Sequence, residues 1–165
     1  MPKEIDAAKR TEIVNILQMH REKPITLNRF MAFFAGKQLL PLMNTKYRDH
    51  FVHTLRSWLE FLQIRYPNLK SNQLQRIFLD FVKWANYYFP KWIEDNDFEN
   101  SPPRILWYGP AKESEALFVY FLYLFGCDVV IFEPDGTDIL KPYGIMDFPT
   151  ESLHQKTELF DFPFD

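Results

Sequence analysis

The chain has 165 residues, of which 47% are hydrophobic and 18% aromatic, and it carries a net charge of -3. That is one domain's worth, or one domain with an appendage, and the apolar content excludes a wholly disordered chain. A lone cysteine, Cys127, excludes an internal disulfide, the polar start MPKEIDAAKR carries no secretory signal, and the longest apolar run, Ala116 to Cys127, is shorter than the ~20 residues that span a bilayer, so a cytoplasmic protein with no membrane span is expected.

The charge is unevenly distributed. Residues 1–93 hold 15 Lys and Arg against 7 Asp and Glu, whereas residues 94–165 hold 4 against 15. A basic half of this kind can meet an anionic partner, but docking of the two halves on each other explains it more simply.

Residues 1–93 read as a basic helical region. A first amphipathic stretch covers about residues 5–20, with Ile13, Val14 and Leu17 on its apolar side. Thr26 is placed to cap a second helix through Phe30, Phe33 and Phe34, which Gly36 ends. A third runs from about 45 to 65, and its Phe51, Leu55, Trp58, Leu59 and Leu62 fall on one face. Ser71 is placed to cap a fourth, whose Leu74, Ile77, Phe78, Phe81, Val82, Ala85 and Phe89 follow the same spacing until Pro90 interrupts. A bundle of about four helices follows.

Chemistry in this half is sparse. Asp49, His50 and His53 form a D-H-x-x-H cluster, and two histidines three apart on a helix can share a metal. They lie opposite the apolar stripe and no third ligand is specified, so a solvated polar face is the better reading and no metal is expected. Arg76 and Lys83, with Trp84 and Tyr87 close by on the same helix, could neutralise and stack on a nucleic-acid strand. No helix-turn-helix or RNA-binding motif accompanies them, and the aromatic pair borders the apolar stripe, so nucleic acid is disfavoured as a partner.

Residues 94–103, acidic and closed by Pro102-Pro103, read as a linker. Residues 104–136 then have the order of a β-α-β unit: the apolar Ile105–Tyr108 ending at Gly109, an apolar helix closed by Gly126, and Cys127–Phe132 ending in Glu133-Pro-Asp-Gly136. Gly109-Pro110 is expected to open the helix, with glycine at the cap and proline at the first helical position. Neither G-x-G-x-x-G nor G-x-x-x-x-G-K-[ST] occurs, and Glu113 and Glu115 put negative charge at this turn, so direct phosphate binding is disfavoured.

Ligands of parallel sheets sit beyond the carboxyl ends of the strands. Glu133 lies 24 residues after Gly109, about where dinucleotide folds keep an acid for ribose hydroxyls. Gly109 for close backbone approach, Glu115 as a polar contact, and Glu133 and Asp135 for hydroxyls or a cation are the ligand-binding candidates, with Asp138 nearby. The competing explanation is an ordinary Asp-Gly turn whose acids face water. Cys127 reads as a small buried hydrophobe. No catalytic residue and no cofactor is specified.

The helix between the strands is apolar on nearly every side and needs a cover on both faces, for which the basic helices are the obvious candidate. Two parallel strands do not stand alone. Residues 137–165, broken by Pro142, Pro149 and Pro163, offer no second strand–helix unit, so either Thr137–Leu140 or the tail pairs with an edge, or strands lie in the remainder of a longer chain or in a protein partner.

Pro103-Arg-Ile-Leu-Trp-Tyr-Gly109, Glu115 with Leu117–Leu124, Gly126-Cys-Asp-Val-Val130 and Pro134, with Phe162-Pro-Phe164 in the tail, resemble a unit of the bacterial YceG-like family of Bacillus type. This is the family described as part of a biosynthetic module, not the lytic transglycosylase of the same name. The resemblance is specific over 103–134. It implies a longer parent chain and a setting among tellurite-resistance (Ter) genes, and it carries over no catalytic residues. The combined expectation is an α/β protein in which a helical N-terminal bundle precedes an incomplete Rossmann-like unit that binds a small hydroxyl-bearing metabolite. The alternative is a non-enzymatic protein-interaction module with a basic helical surface.

Overall fold

The computed structural model describes residues 4–41, 46–67, 71–95 and 101–146, with backbone only at 71 and 93–95. The order is α1 (Ala7–Glu22), α2 (Leu27–Gly36), α3 (Arg48–Arg65), α4 (Ser71–Asp95), β1 (Arg104–Tyr108), α5 (Glu113–Leu124), β2 (Asp128–Phe132) and a short 3-10 turn, Lys141–Tyr143. The fold is helix-rich, with one two-stranded parallel sheet among the described residues. Among the described residues no helix is long and apolar enough to cross a membrane.

Local chemistry sets most of these boundaries. Asp6 starts α1 by accepting the backbone N–H groups of Ala8 and Lys9 at 2.8 and 3.2 Å. Thr26 caps α2, its Oγ1 accepting from the N–H of Arg29 at 3.4 Å. Ser71 is the first helical residue of α4 rather than the residue before it. Pro90 does not end α4, which continues to Asp95, so Glu94 and Asp95 belong to a helix and not to a linker. Residues 96–100 lie outside the described part.

The strands pair in parallel register, from Arg104 opposite Asp128 to Tyr108 opposite Phe132. The helix between them closes through Gly126, at φ +92, where Gly126 N–H donates to Tyr123 O and Cys127 N–H to Leu122 O, both at 3.0 Å. Thr137–Leu140 forms no strand. Asp138 Oδ1 instead accepts the N–H groups of Leu140 and Lys141 at 2.9 and 3.1 Å, which starts the 3-10 turn and buries Ile139 and Leu140. The tail from 147 lies outside the described residues.

A single core joins the helices to the sheet, with α5 at its centre. Ala116 to Leu122 are all buried, so the all-round apolar composition of α5 is matched by cover on all sides. The ring of Phe121 meets Phe51 at 5.5 Å, Phe81 at 4.8 Å and Phe89 at 6.0 Å, edge to face. Such pairs are worth about 0.5–1.5 kcal/mol each beyond the area they bury. Trp58, fully buried, stacks on Phe81 at 4.7 Å and donates its Nε1–H to Leu117 O at 2.9 Å, so α3 holds α5 by both packing and a hydrogen bond. The basic helices thus cover the acidic half mainly through apolar contact. Arg76 to Glu113, at 3.1 Å, is the ion pair between the halves among the described residues.

Candidate functional site

The parallel register carries both strand ends to one rim. Gly109 N–H donates to Phe132 O at 2.9 Å, which extends the ladder by one residue and seats Gly109 beside Glu133. Gly109 has φ +84, a conformation costly for any residue with a Cβ, and Trp107 Nε1–H donates to its carbonyl at 3.0 Å. Both backbone polar groups of Gly109 are therefore engaged within the protein. What it offers a ligand is open space, because a Cβ there would meet no atom within 4 Å.

The helix does not begin at Gly109-Pro110. The first helical residue is Glu113, and the chain uses 109–111 to pass from the sheet to the helix layer. Glu115 closes the first turn by accepting the N–H of Lys112 at 2.7 Å. The 109–111 segment is braced from outside: Tyr143 OH donates to Ala111 O at 3.2 Å, and Tyr66 OH donates to Tyr143 O at 2.9 Å. Burial, then the negative Glu113 and Tyr143 nearby, pushes the Tyr66 phenol from 10.0 up to about 12.

Of the four candidates, Gly109 and Glu133 come together, with Asp135 in the turn that follows. That turn is closed by Gly136 N–H donating to Glu133 O at 3.1 Å, and Asp135 in it is exposed. Glu133 is half-buried, and its Oε2 is shielded from solvent without a hydrogen-bond partner among the described residues. A buried carboxylate oxygen costs free energy unless something donates to it. Glu115 sits elsewhere, in the wall of a groove beside β1 that does not include Glu133. Asp138 is taken up by the 3-10 turn.

The other polar clusters resolve into structural roles. His50 is not simply solvated: its Nε2 lies 2.8 Å from Phe125 O, at the end of α5, and its ring packs on Phe125 at 4.8 Å. His53 is exposed, and no group of three His, Cys, Asp or Glu able to hold a metal occurs among the described residues. Arg76 pairs with Glu113, and Trp84 packs on Phe118 at 5.1 Å, widening the core contact. Cys127 is buried, and its thiol is pushed from 9.0 up to about 12 by burial and then by Asp128.

Two cavities escape the sequence reading. One, of about 450 Å³, is an apolar cleft among α1 to α4 lined by Leu17, His20, Phe30, Leu59, Tyr66 and Phe78. Its His20 Nδ1 is already used, accepting the N–H of Ile25 at 3.2 Å, and the cleft presents no buried polar atom in want of a partner. The other is the groove beside β1, about 430 Å³, walled by Trp84, Tyr88 and Trp92 of α4. Their i, i+4, i+8 spacing is visible in the sequence, but reading Pro90 as a helix end hides Trp92.

The family described as YceG domain matches residues 2–165. The uncharacterised protein YceG of Bacillus subtilis (strain 168) is 34% identical over 151 residues, a match covering 87% of this chain and 27% of that relative. The chain thus spans about a quarter of the length of the curated relative it matches. No solved structure matches.

Proposed function

The chain belongs to the YceG domain family, and from that footing we propose that it binds a small hydroxyl-bearing metabolite, such as a nucleoside or sugar, at the Gly109–Glu133 rim. The observation that carries this reading is Glu133 Oε2, shielded and without a donor among the described residues, at the carboxyl end of a parallel strand. A hydroxyl donates one hydrogen bond to a carboxylate oxygen and brings no charge to be desolvated, which suits this atom. Gly109 contributes clearance, and Asp135 is near enough in sequence to offer a second acceptor or to meet a cation.

The sheet is read as part of a Rossmann-like arrangement within a longer cytoplasmic polypeptide. The family resemblance supports a biosynthetic setting in tellurite resistance and stress response. Isothermal titration with adenosine, uridine and ribose tests the binding step. Heat with the wild-type chain that is lost in Glu133→Ala is expected, while no heat, or heat unchanged by that substitution, overturns it. The second reading, a protein-interaction module without catalysis, draws on the basic helical surface of residues 1–93. A stoichiometric protein partner that co-purifies with a chain giving no heat would favour it.

A further inference from the structure

The face of the sheet turned away from α5 carries Arg104 and Asp128 at the strand starts and is apolar beyond them. Leu106 is 70% exposed, Val130 61% and Phe132 48%, and the register sets Leu106 directly opposite Val130 with Phe132 two residues on. The alternate residues Ile105, Trp107, Val129 and Ile131 pack on the core. Parallel sheets are found with both faces covered, and this one is covered on one side only among the described residues.

A second feature adjoins it. The groove beside β1 is lined by four consecutive residues, Arg104 to Trp107, and by none of β2. Consecutive residues point to alternate faces, so a groove touching all four runs along the open backbone edge of β1. Its far wall is the aromatic row of α4. Among the described residues no strand pairs with this edge of β1.

We propose that face and groove form one interface: a further parallel strand pairs with β1, and the helix leading into that strand covers Leu106, Val130 and Phe132. Both are supplied by the remainder of a longer YceG polypeptide, of which this chain corresponds to about a quarter. Crossover handedness links the two features. Crossovers between parallel strands are almost always right-handed, so stepping from β1 to β2 puts α5 on one face, and stepping back past β1 puts the next helix on the other. The face and the β1 edge that no described residue covers are the two places that such a return step fills. The strand order reverses at β1, and a ligand crevice forms at such a switch point, next to Gly109. This inference rests on the α/β reading above but not on any ligand.

The test compares this chain alone with a hybrid in which it replaces the matched region of the Bacillus subtilis relative. Amide hydrogen exchange in β1 is expected to slow by about 100-fold or more in the hybrid, as edge amides gain partners. Leu106→Thr with Val130→Thr is expected to lower the melting temperature of the hybrid while leaving that of the lone chain unchanged, because both side chains are exposed there. Equal exchange in the two proteins, or an equal loss of melting temperature in both, overturns the proposal. So does sedimentation of the lone chain as a dimer that the double substitution dissociates, which would assign the face to a second copy. Absence of heat in the nucleoside and sugar titrations leaves this outcome untouched, so the two readings fail separately.

Discussion

Gly109 and Phe132 are joined by a hydrogen bond of 2.9 Å from the glycine N–H to the phenylalanine carbonyl. That bond makes the end of β1 and the start of the Glu133 turn a single rim, and the Tyr108 and Phe132 rings stacked at 5.4 Å reinforce it. Glu133 is held there by the backbone on either side, with its Oε2 facing no donor among the described residues.

An oxygen kept in this state should cost stability. Glu133→Ala removes it, and the variant is expected to melt at the same temperature as the wild type or about 2–4 °C higher, corresponding to roughly 1 kcal/mol. A loss of several degrees would mean that the carboxylate serves the fold rather than a ligand. Differential scanning calorimetry decides between the two.

Trp58 anchors α3 to α5. Trp58→Ala removes a fully buried indole and its hydrogen bond to Leu117 O, and should cost about 3–5 kcal/mol in urea unfolding. Trp58→Phe keeps most of the packing and should cost markedly less.

Between α4 and α5 lie two polar contacts of different worth. Ser114, 6% exposed, donates from Oγ to Asp80 Oδ2 at 2.7 Å, whereas the Arg76 partner of Glu113 is more than half exposed. A double-mutant cycle on Asp80→Asn and Ser114→Ala should give a coupling of about 1–2 kcal/mol, since the bond is short and charge-assisted. The cycle on Arg76→Ala and Glu113→Ala should give no more than about 1 kcal/mol. The reverse order would show that charge, not shape, seats the two halves.

Alkaline stability follows from two raised groups. Cys127 titrates at about 12 in the folded chain against 9.0 when unfolded, and Tyr66 at about 12 against 10.0. Above pH 9 the unfolded state has lost protons that the folded state retains, so stability is complete below that pH and falls as pH rises toward 12. Cys127→Ala should flatten the first part of the decline, near pH 9 to 10. Slow reaction of Cys127 with iodoacetamide in the native chain, and rapid reaction in urea, checks the same burial.

The helices were legible because their apolar stripes are long: Phe51, Leu55, Trp58, Leu59 and Leu62 are all buried where a helical period puts them. The parallel pair was legible from two short apolar runs separated by a helix that glycine closes. Pro90 misleads because packing of Phe89 and Trp92 at 5.4 Å holds the helix across the residue that breaks a free one. The start of α5 was hidden because Lys112 is no capping residue by type, and only its backbone N–H, bonded to Glu115, marks the cap. Glu115 for the same reason left the candidate rim. The orphaned oxygen of Glu133 has no sequence signature at all, since whether an acid ends on a wet or a shielded turn depends on what packs around it.

Amide NMR during titration with adenosine, uridine and ribose locates binding residue by residue. Shifts are expected to concentrate at Gly109, Ala111, Glu133, Asp135 and Gly136, and to vanish in Glu133→Ala. Shifts confined to the apolar cleft around His20 and Phe30, or none anywhere up to millimolar ligand, would leave the strand-end rim without a role in binding.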